Sequence, residues 1–227
     1  MGDGELTGGK GRVDLRGVRN VVFDWSGTLV DDFPPVLETS NRLIGHYGLE
    51  PMGEEEFRRR FRLPWVHFYE EVLPGVAIGE LERRFEEFFL EAETAPELIP
   101  HAKEFLEFCQ GRGMRLFLLS AIPPDHFEEQ AERLGITNFF EGRYVGVRDK
   151  RHCVHEIVEE HHLERSETML VGDMEHDMHT ARHGGLMAVA TLTGYNFHEQ
   201  LYSAEPDLIV ENLLELRSMM GGGDGVL

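Results

Sequence analysis

The sequence predicts a doubly wound α/β fold, a parallel sheet covered on both faces, with a block of helices inserted after the first strand. Three observations point there. Apolar runs near 20–24, 114–120, 168–172 and 187–191, with a further one at 207–210, read as buried strands. Amphipathic segments over about 99–112, 124–134, 150–162, 176–184 and 211–219 separate most of them, and strands alternating with helices build parallel sheets. The interval 33–96 has only helical character and is too long for a loop.

Taken in order, Val21-Val22-Phe23 runs into Asp24-Trp25-Ser26-Gly27-Thr28-Leu29-Val30, so a buried strand delivers Asp24 to a turn at its carboxyl end. In the inserted interval, Val36, Leu37, Leu43, Ile44 and Tyr47 predict a helix over 34–47, followed by helices over 54–61, 66–73 and 78–92. The last carries Leu81, Phe85, Phe88 and Phe89 on one face, and the stripe Phe85, Phe88, Phe89 is expected to pack within the helical block. Pro64-Trp65-Val66-His67-Phe68-Tyr69 starts a helix that either packs or faces a ligand. Later strands end in Ser120 and in Gly172-Asp173, and Gly135 and Gly184-Gly185 stop helices. Ligands of such sheets bind beyond the carboxyl ends of the strands, where Asp24, Ser120 and Asp173 stand. The expected organisation is a core of 13–32 and 97–219, a helical block of 33–96 hinged near 30–33 and 95–101, and flexible ends at 1–12 and 220–227.

Forty-two acidic against 22 basic residues give a net charge of −20, which repels a phosphate backbone and argues against nucleic acid as a partner. An anionic substrate would need local cations, which draws attention to Lys150 and a bound metal. No apolar run approaches the roughly 20 residues that span a bilayer, so no membrane partner is expected. The start lacks the basic-then-apolar pattern of a signal peptide, and Leu6 stands where myristoylation wants Ser or Thr. Cys109 and Cys153 are too few for a disulfide framework, and a reducing cytoplasm is the expectation. His152, His155, His161 and His162 do not form a metalloprotease motif, since Glu159 stands where the second histidine belongs. His176, His179 and His183 share a helix face and are expected to be solvated.

The order Asp24, Ser120, Lys150, Asp173, Asp177 resembles the haloacid dehalogenase-like hydrolases, mostly phosphate-ester hydrolases, over about 19–217. The resemblance implies a Rossmann-like core with a helical cap at 33–96. It implies Asp24 as a nucleophile forming an aspartyl-phosphate, and Gly27, Thr28, Ser120, Ala121 and Lys150 as phosphate-binding groups. Magnesium would be held by Asp24, Asp173 and the Ser26 carbonyl, with Asp177 anchoring a metal water or Lys150. The stretches Asp24-Trp25-Ser26-Gly27-Thr28-Leu29-Val30-Asp31-Asp32, Phe61-Arg62-Leu63-Pro64, Leu119-Ser120-Ala121 and Gly172-Asp173-Met174-Glu175-His176-Asp177 narrow it. They are similar to a bacterial branch that reads Asp-Trp-Asn-Gly-Thr-Leu and is labelled phosphoglycolate-phosphatase-like.

One departure matters. The family's phosphatases carry a second aspartate, for acid–base work worth roughly 100- to 10,000-fold, where this chain has Ser26. Phosphonoacetaldehyde hydrolases also lack it, but use a cap lysine, and no lysine lies between Lys10 and Lys103. Haloacid dehalogenases lack it without using the metal, which the retained Asp173 and Asp177 argue against. The expectation is a magnesium-dependent hydrolase of small phosphorylated metabolites, with His67 or another cap group supplying the proton. The alternatives are a hydrolase of C–P, acyl or anhydride phosphates, which needs no such proton, and a non-catalytic phosphate-binding protein.

Overall fold

Strand β1 (Asn20–Phe23) is buried at all four positions because it lies in mid-sheet with helices on both faces. The computed structural model describes residues 13–221; the expectations for 1–12 and 222–227 lie outside them. After β1 come β2 (Val30–Asp31), α1 (Phe33–His46), α2 (Glu54–Arg60), α3 (Val66–Val72), α4 (Ile78–Phe89) and β3 (Glu97–Leu98). Then follow α5 (Ala102–Gly111), β4 (Arg115–Leu119), α6 (Pro124–Leu134), β5 (Gly142–Tyr144), α7 (Lys150–Glu160) and β6 (Thr168–Gly172). The chain closes with α8 (Glu175–Gly184), β7 (Met187–Thr191), α9 (His198–Ser203), β8 (Leu208–Val210) and α10 (Leu213–Met219).

The main sheet has the order β5-β4-β1-β6-β7-β8, and all its pairings are parallel. The order turns back at β1, so the loops after β1, β4 and β6 meet over one crevice. Side chains alternate between two cores. Val21, Phe23, Leu116, Leu118, Met169 and Val171 join residues of α5, α6 and α10, while Val22, Phe117, Leu119 and Leu170 join residues of α7, α8 and α9. The predicted strands are all present. β5 and α9 were not foreseen: β5 is a short, half-exposed edge strand without an apolar run, and α9 has six residues. Met220, placed by the sequence in the flexible tail, is buried, and Arg112 donates to its carbonyl at 2.8 Å.

The helices α1 to α4 occupy the inserted interval; α1, α2 and α3 end one residue short of their predicted limits and α4 three. They gather their own apolar cluster around Leu43, Ile44, Phe57, Phe68 and Leu81, which also takes in Met174 and Tyr195 from the sheet loops. β2 and β3 pair antiparallel, Val30 with Leu98 and Asp31 with Glu97, so the chain leaves the core and re-enters it at adjacent points. Arg58 fastens α2 to the core: it donates to the Gly194 carbonyl and lies 4.0 Å over the Phe33 ring.

Phe57 is fully buried among the rings of Phe33, Phe61 and Phe68, at centroid distances of 5.9, 5.0 and 5.3 Å. Phe57→Ala is expected to cost about 3–5 kcal/mol. Hydrogen exchange should show the loss first in α1 to α4, with the amides of β1 and β6 less affected.

Candidate active site

Asp24 is the residue after β1, and its backbone N–H still follows the ladder, donating to the Val171 carbonyl at 2.9 Å. Beyond it the chain curls tightly: Leu29 and Val30 both donate to the Trp25 carbonyl, and Gly27 donates to that of Val30. Gly27 has φ +72°, and a Cβ there would lie 2.3 Å from Asp173 Oδ2. Gly194, in the loop after β7, closes the other side, where a Cβ would lie 2.0 Å from the same oxygen. The Asp173 carboxylate thus sits between two stretches of bare backbone. It accepts from the Thr28 hydroxyl at 3.0 Å and from the Tyr195 N–H at 2.7 Å.

Lys150, the first residue of α7, is 1 % exposed and bridges two carboxylates, with Nζ 2.8 Å from Asp24 Oδ1 and 2.7 Å from Asp177 Oδ1. The second oxygen of Asp177 accepts from the Met174 N–H at 3.1 Å and so caps the start of α8. Gly172 leaves room for this, since a Cβ there would lie 2.3 Å from the Asp177 Cβ. Burial pulls the Lys150 ammonium down, but the attraction of Asp177 and Asp24 outweighs it and raises its pKa overall. Burial, with repulsion from Asp177, pushes Asp24 up to about 6 against the pull of Lys150. Burial, then Asp24 and Asp177, raise Asp173 well above the carboxylate range.

Oxygens of Asp24, Asp173 and Asp177 lie within 4.8 Å of one another. Three buried carboxylates with one lysine between them fit a hard divalent cation, which prefers oxygen ligands and would relieve their repulsion. Asp24 keeps its Oδ2 for such an ion, and Asp173, whose bonds come only from neutral donors, could join it; Asp177 is already spent on Lys150 and on α8. The histidines make no comparable group among the described residues. His176 differs from expectation: it is buried, accepts the Lys150 N–H at 3.2 Å and keeps α7 against α8, while His179 and His183 are exposed.

A cleft of about 460 Å³ opens above this cluster, lined by Asp24, Ser26, Ser120 and Ala121 on the core side. The structure brings together most of the residues singled out from the sequence. Thr28 is turned away from the cleft, its hydroxyl on Asp173 and its N–H on the Trp25 carbonyl. His67 lies outside as well, 56 % exposed and 3.2 Å from Glu70. Phe85 and Phe89, expected as packing, line the cleft with Trp65.

Sequence reasoning missed Asp32 and Tyr195. The Ser26 hydroxyl donates to Asp32 Oδ2 at 2.6 Å and the Tyr195 hydroxyl to Oδ1 at 2.9 Å. Burial pushes the Asp32 carboxyl up to about 7, with Asp24 adding to the rise and both hydroxyls opposing it. Asp32 was on view in the Asp31-Asp32 pair, and Tyr195 in the turn Thr193-Gly194-Tyr195 that follows a strand; neither turn announced that the two side chains meet.

Comparison with known proteins agrees with this arrangement. A "Phosphoglycolate phosphatase" of Synechococcus elongatus is 26% identical over 210 residues, covering 86% of this chain and 94% of its own. One of Vibrio parahaemolyticus is 24% identical, with 88% and 94% covered. Among solved structures, a haloacid dehalogenase-like family hydrolase from Streptococcus pneumoniae superimposes with a TM-score of 0.78 at 21% identity, covering 89% of this chain and 98% of the other. Residues 21–191 match the family described as haloacid dehalogenase-like hydrolase, and the chain belongs to that family of hydrolases.

Proposed function

We propose that the protein is a magnesium-dependent phosphatase of small phosphorylated metabolites that works through an aspartyl-phosphate on Asp24. Residues 33–96 act as a helical cap over a core of 13–32 and 97–219. The observation that carries this is Asp24 itself, at the floor of the cleft with Lys150 and Asp173 against it. Relatives named as phosphoglycolate phosphatases support the reaction class. The buried, unpaired thiols of Cys109 and Cys153 suit the cytoplasm.

Magnesium bound by Asp24, Asp173 and the Ser26 carbonyl would offset the repulsion between a carboxylate and a phosphate dianion. Asp24 Oδ1 is held by the Trp25 N–H at 2.6 Å and by Lys150, which fixes the plane of the carboxylate before substrate arrives. The carboxylate attacks phosphorus, the ester P–O bond breaks, and the departing alcohol oxygen takes a proton. The Ser120 hydroxyl lines the cleft and donates to the transferring phosphoryl group. Water then attacks the phosphoenzyme, loses its proton and releases inorganic phosphate, restoring the Asp24 carboxylate.

Both proton transfers need a group that Ser26 does not provide. Asp32 lines the same cleft as Asp24 and is bonded to the Ser26 side chain, so the carboxyl group missing from position 26 enters from position 32. We assign it the acid and then the base, with Tyr195 and Ser26 setting its orientation.

Asp24→Asn should abolish phosphate release from alkyl phosphates, and chelation should suppress it until magnesium is restored. Borohydride reduction of enzyme quenched during turnover should change the mass of the peptide at position 24. Unchanged release by Asp24→Asn would remove the reading. For Asp32→Asn, single-turnover phosphorylation of Asp24 should slow by about 100- to 10,000-fold with an alkyl phosphate. It should stay near the wild-type rate with acetyl phosphate, whose leaving group needs no proton. Equal losses on both would leave Asp32 a structural support.

A further inference from the structure

The upper part of the cleft has a chemistry of its own. Phe61, Leu63, Trp65, Leu81, Phe85 and Phe89 line it from the helical side, and Ile122 and Pro123 face them from the core. Its charged side chains come in pairs. Arg148 donates to Glu82 and lies 5.9 Å from the Trp65 ring. His126 meets Glu86 at 2.9 Å and stacks on Phe89 at 4.9 Å. Among the described residues lining the cleft, Arg148 and His126 each already face a glutamate that would repel a substrate carboxylate, and Lys150 below is held between Asp24 and Asp177.

Phosphoglycolate carries a carboxylate one methylene away from its phosphate ester oxygen. In this cleft that carboxylate would meet aromatic rings and the edges of Glu82 and Glu86, with no unpaired cation to receive it. Its two carbons would also leave most of about 460 Å³ unfilled. A flat apolar group would instead bury its faces against Trp65, Phe85 and Phe89.

We propose that the cleft selects phosphate monoesters of uncharged alcohols bearing an aromatic or similarly flat apolar group, and discriminates against phosphoglycolate. This rests on the phosphatase reading of the same site, and deepens it by naming the leaving group. Phosphate would be held at the floor by Ser120 and by the cation that Asp24 and Asp173 would bind, while the rings above grip the alcohol.

The test compares benzyl phosphate with 2-phosphoglycolate, since each releases a primary alcohol and differs in what that alcohol carries. Benzyl phosphate should be favoured in kcat/KM by about tenfold or more. Phe85→Leu should keep the fold and part of the preference, whereas Phe85→Ala should raise KM for benzyl phosphate several-fold and narrow its advantage over 2-phosphoglycolate. Equal rates, or a preference for 2-phosphoglycolate, would overturn the proposal. Calorimetry with the non-hydrolysable analogues 2-phenylethylphosphonate and 3-phosphonopropionate separates it from the reading it rests on. If no ester is hydrolysed but the phenyl compound binds more tightly, the phosphatase reading fails and the selectivity stands. If no ester is hydrolysed and the carboxylate binds as well or better, both fail.

Discussion

The burial of Lys150 between Asp24 and Asp177 governs the rest of the site. An ammonium moved out of water loses several kcal/mol of hydration, and it stays charged here because two carboxylates are within 2.8 Å. Each contact then does a second thing. Asp24 is held at the strand end with one oxygen committed; Asp177 is held at the first turn of α8 with its other oxygen on the helix cap. Three structural elements, β1, α7 and α8, are pinned to one nitrogen atom. Asp173 lies in the same cluster without a cation of its own, and its burial beside Asp24 and Asp177 holds its pKa well above the carboxylate range.

The helical block and the loop after β7 complete the enclosure from opposite sides. Tyr195 donates its backbone N–H to Asp173 and its hydroxyl to Asp32, so one residue touches both the carboxylate cluster and the carboxyl beside Ser26. Its ring packs on Phe33 and Phe61, at 5.2 and 5.4 Å, which carries the same contact into the helical core. Arg58, on the Gly194 carbonyl, fastens the neighbouring residue. Asp32 is thus tied to the helices twice, through Tyr195 and by its own place at the start of α1, where its carbonyl accepts the Val36 N–H.

Much of this was legible in the chain. Strands buried on both faces are continuous apolar runs, and the residues that end them, Asp24, Ser120 and Asp173, are found by noting where each run stops. The helices α1 to α4 showed through their periodicity, since each has one buried face. What stayed hidden depends on which faces meet. Phe85 and Phe89 have the spacing of packing residues, and Phe85 does join the helical cluster with Phe89 stacked on it, yet the same rings also turn toward the cleft, and a helical repeat carries no record of what lies opposite. Asp32 and Tyr195 are separated by more than half of the chain, so no local pattern joins them. β5 escaped because an edge strand is half-exposed and needs no apolar run to be held by its neighbour.

The small ribbon of β2 and β3 has a wider consequence. Val30 and Leu98 sit side by side whatever lies between them in the chain, because their pairing is made outside the main sheet. The register of β1 and the placing of Asp24 are set within the main sheet, so the rings that the helices show to the cleft can change without shifting either, provided the contacts at Gly194 and Tyr195 are kept. Such a seam makes the upper wall a separable part: its lining can be altered while the strand that carries Asp24 stays as it is.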